Sequence, residues 1–170
     1  GFNLSFETAS TYLEYFKESF LVFELSQFAY SLKKQNKTLK KIYAVDTGLA
    51  NSASFRFSDD KGRILETIVF LQLKRSSDEV FYYKNKDGSE VDFLTREKGL
   101  SRELIQVCFD LSEPETKKRE VESLIKAMEE LKIKKGTILT NSTTDEIKIS
   151  SKTIRILPAW KWILIEGVTL

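Results

Sequence analysis

The stretch between residues 80 and 140 constrains the fold more than any other part of the chain. It contains two strand-like segments joined by an Asp-Gly turn, a third strand-like segment, a helix that begins near Pro114, and a fourth strand. The pair Asp87-Gly88 is a strong signal for a tight turn between antiparallel strands. A helix between two strands is typical of a crossover between parallel neighbours, which buries a sheet on both faces. The sequence therefore predicts an α/β protein with a mixed central sheet flanked by helices.

The predicted strands fix which side chains lie on the same face. Strand-like composition runs over residues 80–84, 90–94, 104–109, 137–140, 147–149 and 153–156. Because side chains alternate along a strand, Asp92 is expected on one face and Val91 and Phe93 on the other. By the same rule Gln106 and Cys108 share a face. These last two residues are therefore expected to be side-chain neighbours.

An apolar helix is predicted before this sheet. Residues 63–73 are apolar on nearly every side, as in a buried helix, and Glu66 is the only acid among them. Helical geometry places Glu66 on the same face as Val69 and Leu73, which points its carboxylate toward packed protein. A buried carboxylate without a partner is costly. Glu66 is therefore expected to have a hydrogen-bonding partner or a metal ion.

The N-terminal residues predict a different unit. A helix is expected over residues 5–20, with Ser5 as its N-cap and apolar residues at steps of three and four. A strand over 21–25, a lysine-rich loop and a strand over 42–45 follow, an order typical of the back half of a winged helix. We therefore divide the chain into a partial winged-helix segment, residues 1–42, and an α/β domain, residues 43–170. A polar connector is expected after Asp46. The apolar stripe of the first helix consists of Phe6, Ala9, Leu13, Phe16 and Phe20.

Two helices are predicted in the second half of the chain. Ser112 and Glu115 have the spacing of a capping box, and Pro114 between them favours a first helical turn. A last short helix is expected to begin at Pro158. Its two tryptophans, Trp160 and Trp162, are predicted to anchor the core or an interface.

The composition excludes several classes of chemistry. With no histidine and one cysteine, the chain cannot form a Ser-His-Asp triad, a Cys-His pair or a zinc site of the usual ligands. It contains no P-loop motif, so it does not hold the phosphates of ATP in that way. The net charge of +2 is too small to indicate nucleic-acid binding by itself.

The sequence also carries expectations about location. No apolar run is long enough to span a bilayer, and no secretory signal is visible. The single cysteine fits a reducing compartment, so a cytoplasmic protein without a membrane partner is expected. The chain begins with Gly1 in place of methionine, and we expect it to be a fragment of a longer protein.

Five spaced motifs, present in the right order, give the chain a family resemblance. They resemble the C-terminal domain of unknown function that follows the ATP-binding module of prokaryotic AAA-type ATPases. That domain is similar to the PD-(D/E)XK nucleases, which have a restriction-endonuclease-like fold, and the segment before it in the family resembles a winged helix. The resemblance covers essentially the whole chain. The motifs are residues 41–49, Gly62-x-x-Leu65-Glu66, Phe81-Tyr82-Tyr83, Glu90-Val91-Asp92-Phe93 and residues 156–162.

The resemblance assigns site residues by position. Glu66 matches the acid on the first core helix and Asp92 the acid on the second strand, and in active members such acids hold Mg²⁺. Gln106 and Cys108 match the Glu-x-Lys pair of the third strand. Cys108 carries no permanent positive charge, and losing one such electrostatic group commonly costs a factor of about 100 to 1,000 in rate. The resemblance therefore implies a degenerate site without cleavage activity.

Two alternatives to this interpretation stay open at the level of sequence. A lysine from another element would restore a Mg²⁺-dependent nuclease, with Gln106 supplying one oxygen ligand. Alternatively, Glu66 and Asp92 are retained acids that pair with tyrosine, lysine or backbone donors. The candidates for a relocated lysine are Lys84, Lys117 and Lys126.

A lysine-rich run between the first two strands is the candidate nucleic-acid contact. In a wing such lysines would suit the phosphates of DNA, although a solvated loop is the alternative. The expected partners are the ATPase module of the parent protein and DNA. The favoured function is a regulatory or nucleic-acid-binding module, and the alternatives are the nuclease and a protein-interaction platform. The run consists of Lys33, Lys34, Lys37, Lys40 and Lys41.

Overall fold

The structure is a computed structural model that describes residues 4–53 and 60–166. Within these ranges the helices are α1 (Phe6–Glu18), α2 (Leu32–Gln35), α3 (Thr47–Ala53), α4 (Lys61–Ser76), α5 (Pro114–Glu130) and α6 (Ala159–Glu166). The strands are β1 (Val22–Ser26), β2 (Lys40–Ala44), β3 (Glu79–Lys84), β4 (Glu90–Glu97), β5 (Leu100–Val107), β6 (Lys135–Thr140), β7 (Asp145–Ile149) and β8 (Lys152–Pro158). No described helix is long and apolar enough to cross a membrane.

A six-stranded mixed sheet forms the centre of the chain, in the order β3-β4-β5-β6-β8-β7. β5 and β8 each pair with β6 in parallel, and the other neighbours are antiparallel. The helix α5 connects the parallel strands β5 and β6, as expected for a crossover. The prediction of an α/β protein with a mixed sheet flanked by helices is confirmed.

Helices cover both faces of this sheet. On one face α5 buries Leu124 and Met128 against Leu104 and Ile138. On the other face α4 and α6 bury a second cluster that contains Phe70 and Trp162. Of the two predicted anchors, Trp162 is therefore a core residue, whereas Trp160 is 60% exposed. Burial on two faces explains why the central strands are apolar without strict alternation.

The N-terminal strands β1 and β2 form a separate two-stranded ribbon that packs onto the sheet. Leu25 of β1 and Tyr43 of β2 lie in the same apolar cluster as α4. The backbone N–H of Phe28 donates to the carbonyl of Tyr82, 2.8 Å away, which fixes the ribbon beside β3. The predicted boundary between residues 42 and 43 lies within β2 of this ribbon. The division of the chain at that boundary stays a prediction.

Three local predictions were wrong. The lysine-rich segment includes the short helix α2, and the segment after Asp46 forms α3; residues 54–59 of the predicted connector lie outside the described residues. Ser112 does not cap α5: the N-cap is Glu113, without a side-chain bond, and the N–H of Ser112 donates to Asp110 Oδ1. In each case hydrogen bonds between near neighbours in sequence outweigh the composition of the segment.

The first helix has the predicted N-cap but a different environment from the one expected. Ser5 accepts a hydrogen bond from the N–H of Thr8, so the start of α1 is confirmed. The predicted apolar stripe is not buried: α1 has no buried residue, and Phe6 is 86% exposed. Phe16 and Phe20 are exposed as well. The described part of the chain therefore leaves this aromatic face uncovered.

The close approach of β6 to α5 gives the first testable prediction. A Cβ atom on Gly136 would lie 3.0 Å from Leu124 Cδ2 and 3.1 Å from Met128 Sδ, both in the core. We expect Gly136→Ala to lower the free energy of unfolding by about 1–3 kcal/mol through overpacking. At the matched control Gly62→Ala the new methyl group would meet Asp60 Oδ1 at an ordinary 3.6 Å, so stability should stay equal or rise by up to about 1 kcal/mol. Urea denaturation measures both, and equal effects would contradict the packing argument.

Candidate functional site

A β-bulge in β4 positions the first acid of the site. Phe81 pairs with Leu94 and Tyr83 pairs with Val91, so β4 contains one residue more than β3 between these pairs. As a result Val91 lies in the apolar cluster under α5, and Phe93 lies in the cluster under α4. The prediction that Val91 and Phe93 share a face was wrong for this reason. Bulges commonly turn a side chain in a new direction, and here the residue in question is Asp92.

The Asp92 carboxylate bridges the end of β5 and the N-terminal ribbon. Its Oδ2 accepts a hydrogen bond from the N–H of Val107 at 2.9 Å. The backbone N–H of Asp92 donates to Gln106 Oε1 at 3.3 Å. These bonds take the place of strand pairing, which between β4 and β5 begins only at Phe93 and Ile105. The second oxygen, Oδ1, faces Lys41.

The second acid, Glu66, lies on α4 and has the partners that the sequence analysis required. Its Oε1 accepts a hydrogen bond from the Tyr43 hydroxyl at 2.6 Å and lies 3.3 Å from Lys41 Nζ. Tyr43 and Lys41 both come from β2, two residues apart and therefore on one face of the strand. The ribbon thus supplies both donors to the acid of α4.

Lys41 is the centre of the site. Its ammonium lies 2.8 Å from Glu90 Oε1, 3.3 Å from Glu66 Oε1 and 3.4 Å from Asp92 Oδ1. An ammonium has three N–H donors, so each of the three carboxylates has one available. The nitrogen also lies 5.5 Å from the centre of the Tyr82 ring, which adds a weaker cation–π contact. We call Lys41, Glu66, Glu90 and Asp92 the acid–lysine cluster.

The structure places a lysine beside the two acids, but not one of the expected candidates. Lys117 pairs with Asp145 and Lys126 pairs with Asp87, both at the surface. In the sequence Lys41 belongs to the lysine-rich run, and it lies 25 positions from Glu66. The available signal was the spacing of Lys41 and Tyr43 in the strand, which predicts a shared face but not what lies opposite it.

The charges of the cluster shift the pKa values of its members. Burial and the nearby Glu66 raise the pKa of Asp92 to about 7, although Lys41 and the N–H of Val107 oppose this rise. Burial by itself would lower the pKa of Lys41, but Asp92, Glu66 and Glu90 outweigh it and the pKa is raised. Burial and Glu66 also raise the pKa of Tyr43, so its hydroxyl stays a donor. The cluster therefore holds more negative than positive charge, and Asp92 responds by binding a proton more readily.

The residues in the Glu-x-Lys positions have other partners. Gln106 is buried. Its Nε2 donates to Glu120 Oε2 of α5 at 2.7 Å, and its Oε1 accepts a hydrogen bond from the backbone N–H of Asp92. The Cys108 thiol lies 3.2 Å from the carbonyl of Asp110, and burial together with Glu120 raises its pKa. Both ends of the Gln106 amide are therefore engaged in hydrogen bonds within the chain, and Cys108 has no charge to replace a lysine.

These contacts decide how well Mg²⁺ would fit between the two acids. Both Glu66 and Asp92 are in contact with the ammonium of Lys41. Among the described residues, no group of three or more histidine, cysteine, aspartate or glutamate side chains is arranged to hold a metal ion. With Lys41 in place, a Mg²⁺ ion would have to compete with the ammonium that already contacts both acids. The assignment of Glu66 and Asp92 as metal ligands stays a prediction.

The lysine-rich run is divided by the fold. Lys40 lies 2.9 Å from Glu24 Oε2 on the neighbouring strand, and Lys41 belongs to the acid–lysine cluster. The other three lysines, in and just after α2, are exposed: Lys33, Lys34 and Lys37. Only these three lysines of the run are therefore directed to solvent without a carboxylate partner among the described residues.

Comparisons with known proteins match the chain to two domains of unknown function. The sequence profile of a domain of unknown function, DUF4143, matches residues 61–162, and that of a second domain of unknown function, DUF8612, matches residues 1–60. An uncharacterized protein of Methanocaldococcus jannaschii is 40% identical over 171 residues, which cover 95% of this chain and 37% of that protein. An uncharacterized protein of Haemophilus influenzae is 33% identical over 106 residues, which cover 62% of this chain and 26% of that protein. The chain therefore spans well under half the length of these relatives, and no solved structure matches it significantly.

Replacing Lys41 tests whether its ammonium holds the cluster together. In Lys41→Met three carboxylates lose their shared cation, and breaking such a partly buried network should lower the free energy of unfolding by about 3 kcal/mol. The matched control is Lys40→Met on the same strand. It removes a single ion pair, with Glu24, that is more exposed than the contacts of Lys41, at a cost of about 0–1 kcal/mol. Chemical denaturation compares the two variants. A Lys41→Met protein as stable as Lys40→Met would contradict a central role for Lys41.

The raised pKa of Asp92 predicts a particular dependence of stability on pH. In the folded chain this pKa is about 7, against an ordinary value of 3.8, so between these pH values the folded state binds more protons than the unfolded state. The contribution of Asp92 to stability is therefore complete below about pH 4 and is lost as the pH rises to 7, by up to about 1.4 kcal/mol per pH unit. Asp92→Asn keeps an acceptor for Val107 and cannot titrate. Its unfolding midpoint should fall less than that of the wild type between pH 4 and 7, and parallel profiles would contradict the assignment.

Proposed function

The chain belongs to the family of the domain of unknown function DUF4143, and we propose that it is a non-ATP-binding accessory module of a prokaryotic AAA-type ATPase. In this proposal the module has a nuclease-like fold without cleavage activity and serves nucleic-acid binding or regulation. The relatives are much longer than this chain, which leaves room in them for further modules. The observation that carries the proposal is the state of the positions that match the Glu-x-Lys pair, where Gln106 bonds to Glu120 and to the backbone of Asp92 and Cys108 carries no positive charge.

The order of elements supports the nuclease-like part of this proposal. An acid on a helix, Glu66 on α4, precedes an acid near the start of the second strand of the sheet, Asp92 on β4. A crossover helix then joins the next two strands in parallel. This order is the one implied by the resemblance to PD-(D/E)XK nucleases. The order of the N-terminal elements, helix α1 followed by the β1–β2 ribbon, likewise supports a partial winged helix.

The contacts within the cluster support the absence of cleavage. Cleavage of a phosphodiester by a metal ion needs open coordination positions on the ion and a fixed positive charge for the developing negative charge. Here Lys41 directs its donors to three carboxylates, and Gln106 has committed both ends of its amide. We infer that Lys41 acts as a built-in counter-ion, which stabilises the acids and attaches the ribbon to the sheet.

A second candidate function is the Mg²⁺-dependent nuclease with a relocated lysine. The observation that favours it is the same ammonium, since a lysine within contact distance of both acids is what this hypothesis requires. The pKa of Asp92, raised to about 7 by burial and Glu66, also fits a cluster that would gain from further positive charge. In this function Lys41 would move aside for the metal and then stabilise charge beside it.

A third candidate is a protein-interaction platform. The observation that favours it is the exposed aromatic face of α1, which no described residue covers. Apolar surface of this kind is typical of contact between modules. The residues that form it are Phe6, Tyr12, Tyr15, Phe16 and Phe20.

Magnesium binding and cleavage together distinguish these functions. If Lys41 is a built-in counter-ion, millimolar Mg²⁺ should leave the thermal midpoint of the wild type unchanged and should stabilise Lys41→Ala, in which the acids have lost their cation. The stabilisation should disappear in Lys41→Ala combined with Glu66→Gln. No form should cut plasmid, linear or single-stranded DNA or RNA with Mg²⁺ or Mn²⁺.

The opposite pattern would establish the nuclease. Wild-type cleavage that is lost in Asp92→Ala and in Lys41→Ala, with Mg²⁺ still bound by the latter, would overturn the proposal. The surface control is Asp145→Ala.

Binding without cleavage is measured with the same nucleic acids in the presence of a chelator. Three exposed lysines allow a slope of log affinity against log salt no steeper than about −3. Absence of binding at low salt would favour the interaction platform.

A further inference from the structure

A groove lies between the β4–β5 turn and the loop that joins α5 to β6. Its volume is about 570 Å³, and Phe28, Leu131 and Ile133 give it an apolar side. Phe28 and Ile133 belong to the apolar cluster under α5, so the groove opens on the α5 face of the sheet. It shares no residue with the acid–lysine cluster.

The charged side chains that line this groove are all basic, and no acid among the described residues lines it. Arg96 is already engaged: its Nη1 lies 3.3 Å from Glu79 Oε2, and its Nη2 donates to the carbonyl of Gly99. Lys132 and Lys134 are exposed and have no ion pair within residues 4–53 and 60–166. The basic residues of the lining are Arg96, Lys132, Lys134 and Lys135.

The acids closest to these lysines along the chain have other partners. Glu129 lies 3.0 Å from Lys152 Nζ, and Glu130 accepts a hydrogen bond from the Tyr83 hydroxyl at 2.7 Å. Glu97, at the end of β4, is not without a partner either. The groove therefore carries excess positive charge, which favours an anionic partner.

An exposed aromatic ring lies beside these cations. Tyr30 lines the groove and is 87% exposed. Its ring is in edge contact with that of Phe28, with the ring centres 5.1 Å apart, and the guanidinium of Arg96 lies 5.4 Å from the centre of the Phe28 ring. These contacts hold the Tyr30 ring in place and leave most of it open to solvent.

Two lysines at the groove have backbone conformations that favour other residues. Lys132 follows the end of α5 with a φ of 57°, the left-handed conformation in which glycine is the common residue. Lys98 and Gly99 form the two-residue turn between β4 and β5, with φ of 49° and 91° excluded in favour of 49° and 79° respectively, where Asn-Gly is the preferred pair. Local stability does not account for a lysine at either position, whereas a contact that uses its charge does.

We propose that this groove binds single-stranded nucleic acid, with phosphates against Lys132 and Lys134 and a base stacked on Tyr30. Lysines that contact phosphates and an aromatic ring that stacks on any base are the usual means of binding a single strand. In a duplex the faces of the bases are covered, so Tyr30 would have nothing to stack on.

The inference rests on the nucleic-acid-binding part of the proposed function and gives it a second contact surface. Lys33 of α2 follows Tyr30 by three residues, which is at most about 11 Å along the chain. A strand bound in the groove can therefore continue toward the exposed lysines of α2.

Loss of charge tests the phosphate contacts. The anisotropy of a fluorescent oligothymidine of about ten nucleotides measures binding in chelator at about 0.1 M salt. Lys132→Gly and Lys134→Gln should each weaken binding about fivefold, and together they should make the slope of log affinity against log salt shallower by about 1.4. The matched control Lys161→Gln removes an exposed lysine from α6, on the other face of the sheet, and should bind as the wild type does.

The same variants separate binding from folding. Because glycine suits the left-handed position after α5, Lys132→Gly should keep or raise the thermal midpoint while it weakens binding. A lower midpoint in this variant would contradict the argument that lysine is not there for stability.

Substitution of Tyr30 tests the stacked base. Tyr30→Ala should weaken binding about fivefold or more, and Tyr30→Phe should bind as the wild type does, since stacking needs the ring and not the hydroxyl. An abasic oligonucleotide with the same number of phosphates should bind the wild type more weakly and should not distinguish it from Tyr30→Ala. A duplex of the same length should compete poorly.

The possible failures are distinct from one another. If the oligonucleotide binds the wild type and all groove variants equally, the groove is not the site and nucleic-acid binding still stands. If polyglutamate binds more tightly than the oligonucleotide and loses affinity in Lys132→Gly, the partner is an acidic protein segment and the inference is wrong. No binding of any nucleic acid at low salt would overturn the inference and the nucleic-acid-binding part of the proposed function together.

Discussion

One ammonium group, that of Lys41, links the two parts of the chain. It lies on the N-terminal ribbon and contacts carboxylates from α4 and β4, so the ribbon and the sheet share their most charged contact. Tyr43, two residues further along the same strand, adds a hydrogen bond to Glu66. Its ring stacks on that of Phe70, with the ring centres 4.2 Å apart. Apolar packing and charge pairing therefore act at the same place, and removing either would weaken the attachment of the ribbon.

The acids depend in turn on one irregularity in the sheet. The bulge in β4 separates Val91 from Phe93 and turns Asp92 to the end of β5, where the N–H of Val107 would otherwise pair with a strand carbonyl. Burial there, close to Glu66, raises the pKa of Asp92 to about 7. The same end of the sheet places Gln106 between Asp92 and α5. Gln106 thus provides a neutral link between the backbone N–H of Asp92 and the carboxylate of Glu120, at a site that already has excess negative charge.

Much of the fold could be predicted because its signals are local. The Asp-Gly turn, the Ser5 cap, the apolar helix around Glu66 and the crossover before β6 each depend on residues close in sequence. Apart from the two short helices α2 and α3 and the cap of α5, predictions failed where contacts between distant residues decide. The bulge at Asp92 leaves no sign in the alternation of β4, and the exposure of the α1 stripe depends on what surrounds the helix, which its own period does not specify. Lys41 resembled its neighbours in a basic run until the fold placed Glu66, 25 positions away, beside it.

The sequence by itself determined the class of the protein, the order of the strands and crossover helix of its central sheet, the exclusion of histidine chemistry and the need of Glu66 for a partner. These follow from composition, periodicity and the cost of burying a charge, none of which requires coordinates. Only the tertiary structure decided which partner Glu66 has, that Lys40 and Lys41 point to different carboxylates, and that Trp162 lies in the core while Trp160 is exposed. The physical reason is range: an ion pair or a cavity wall depends on distances of a few ångströms between residues that the chain keeps far apart until it folds.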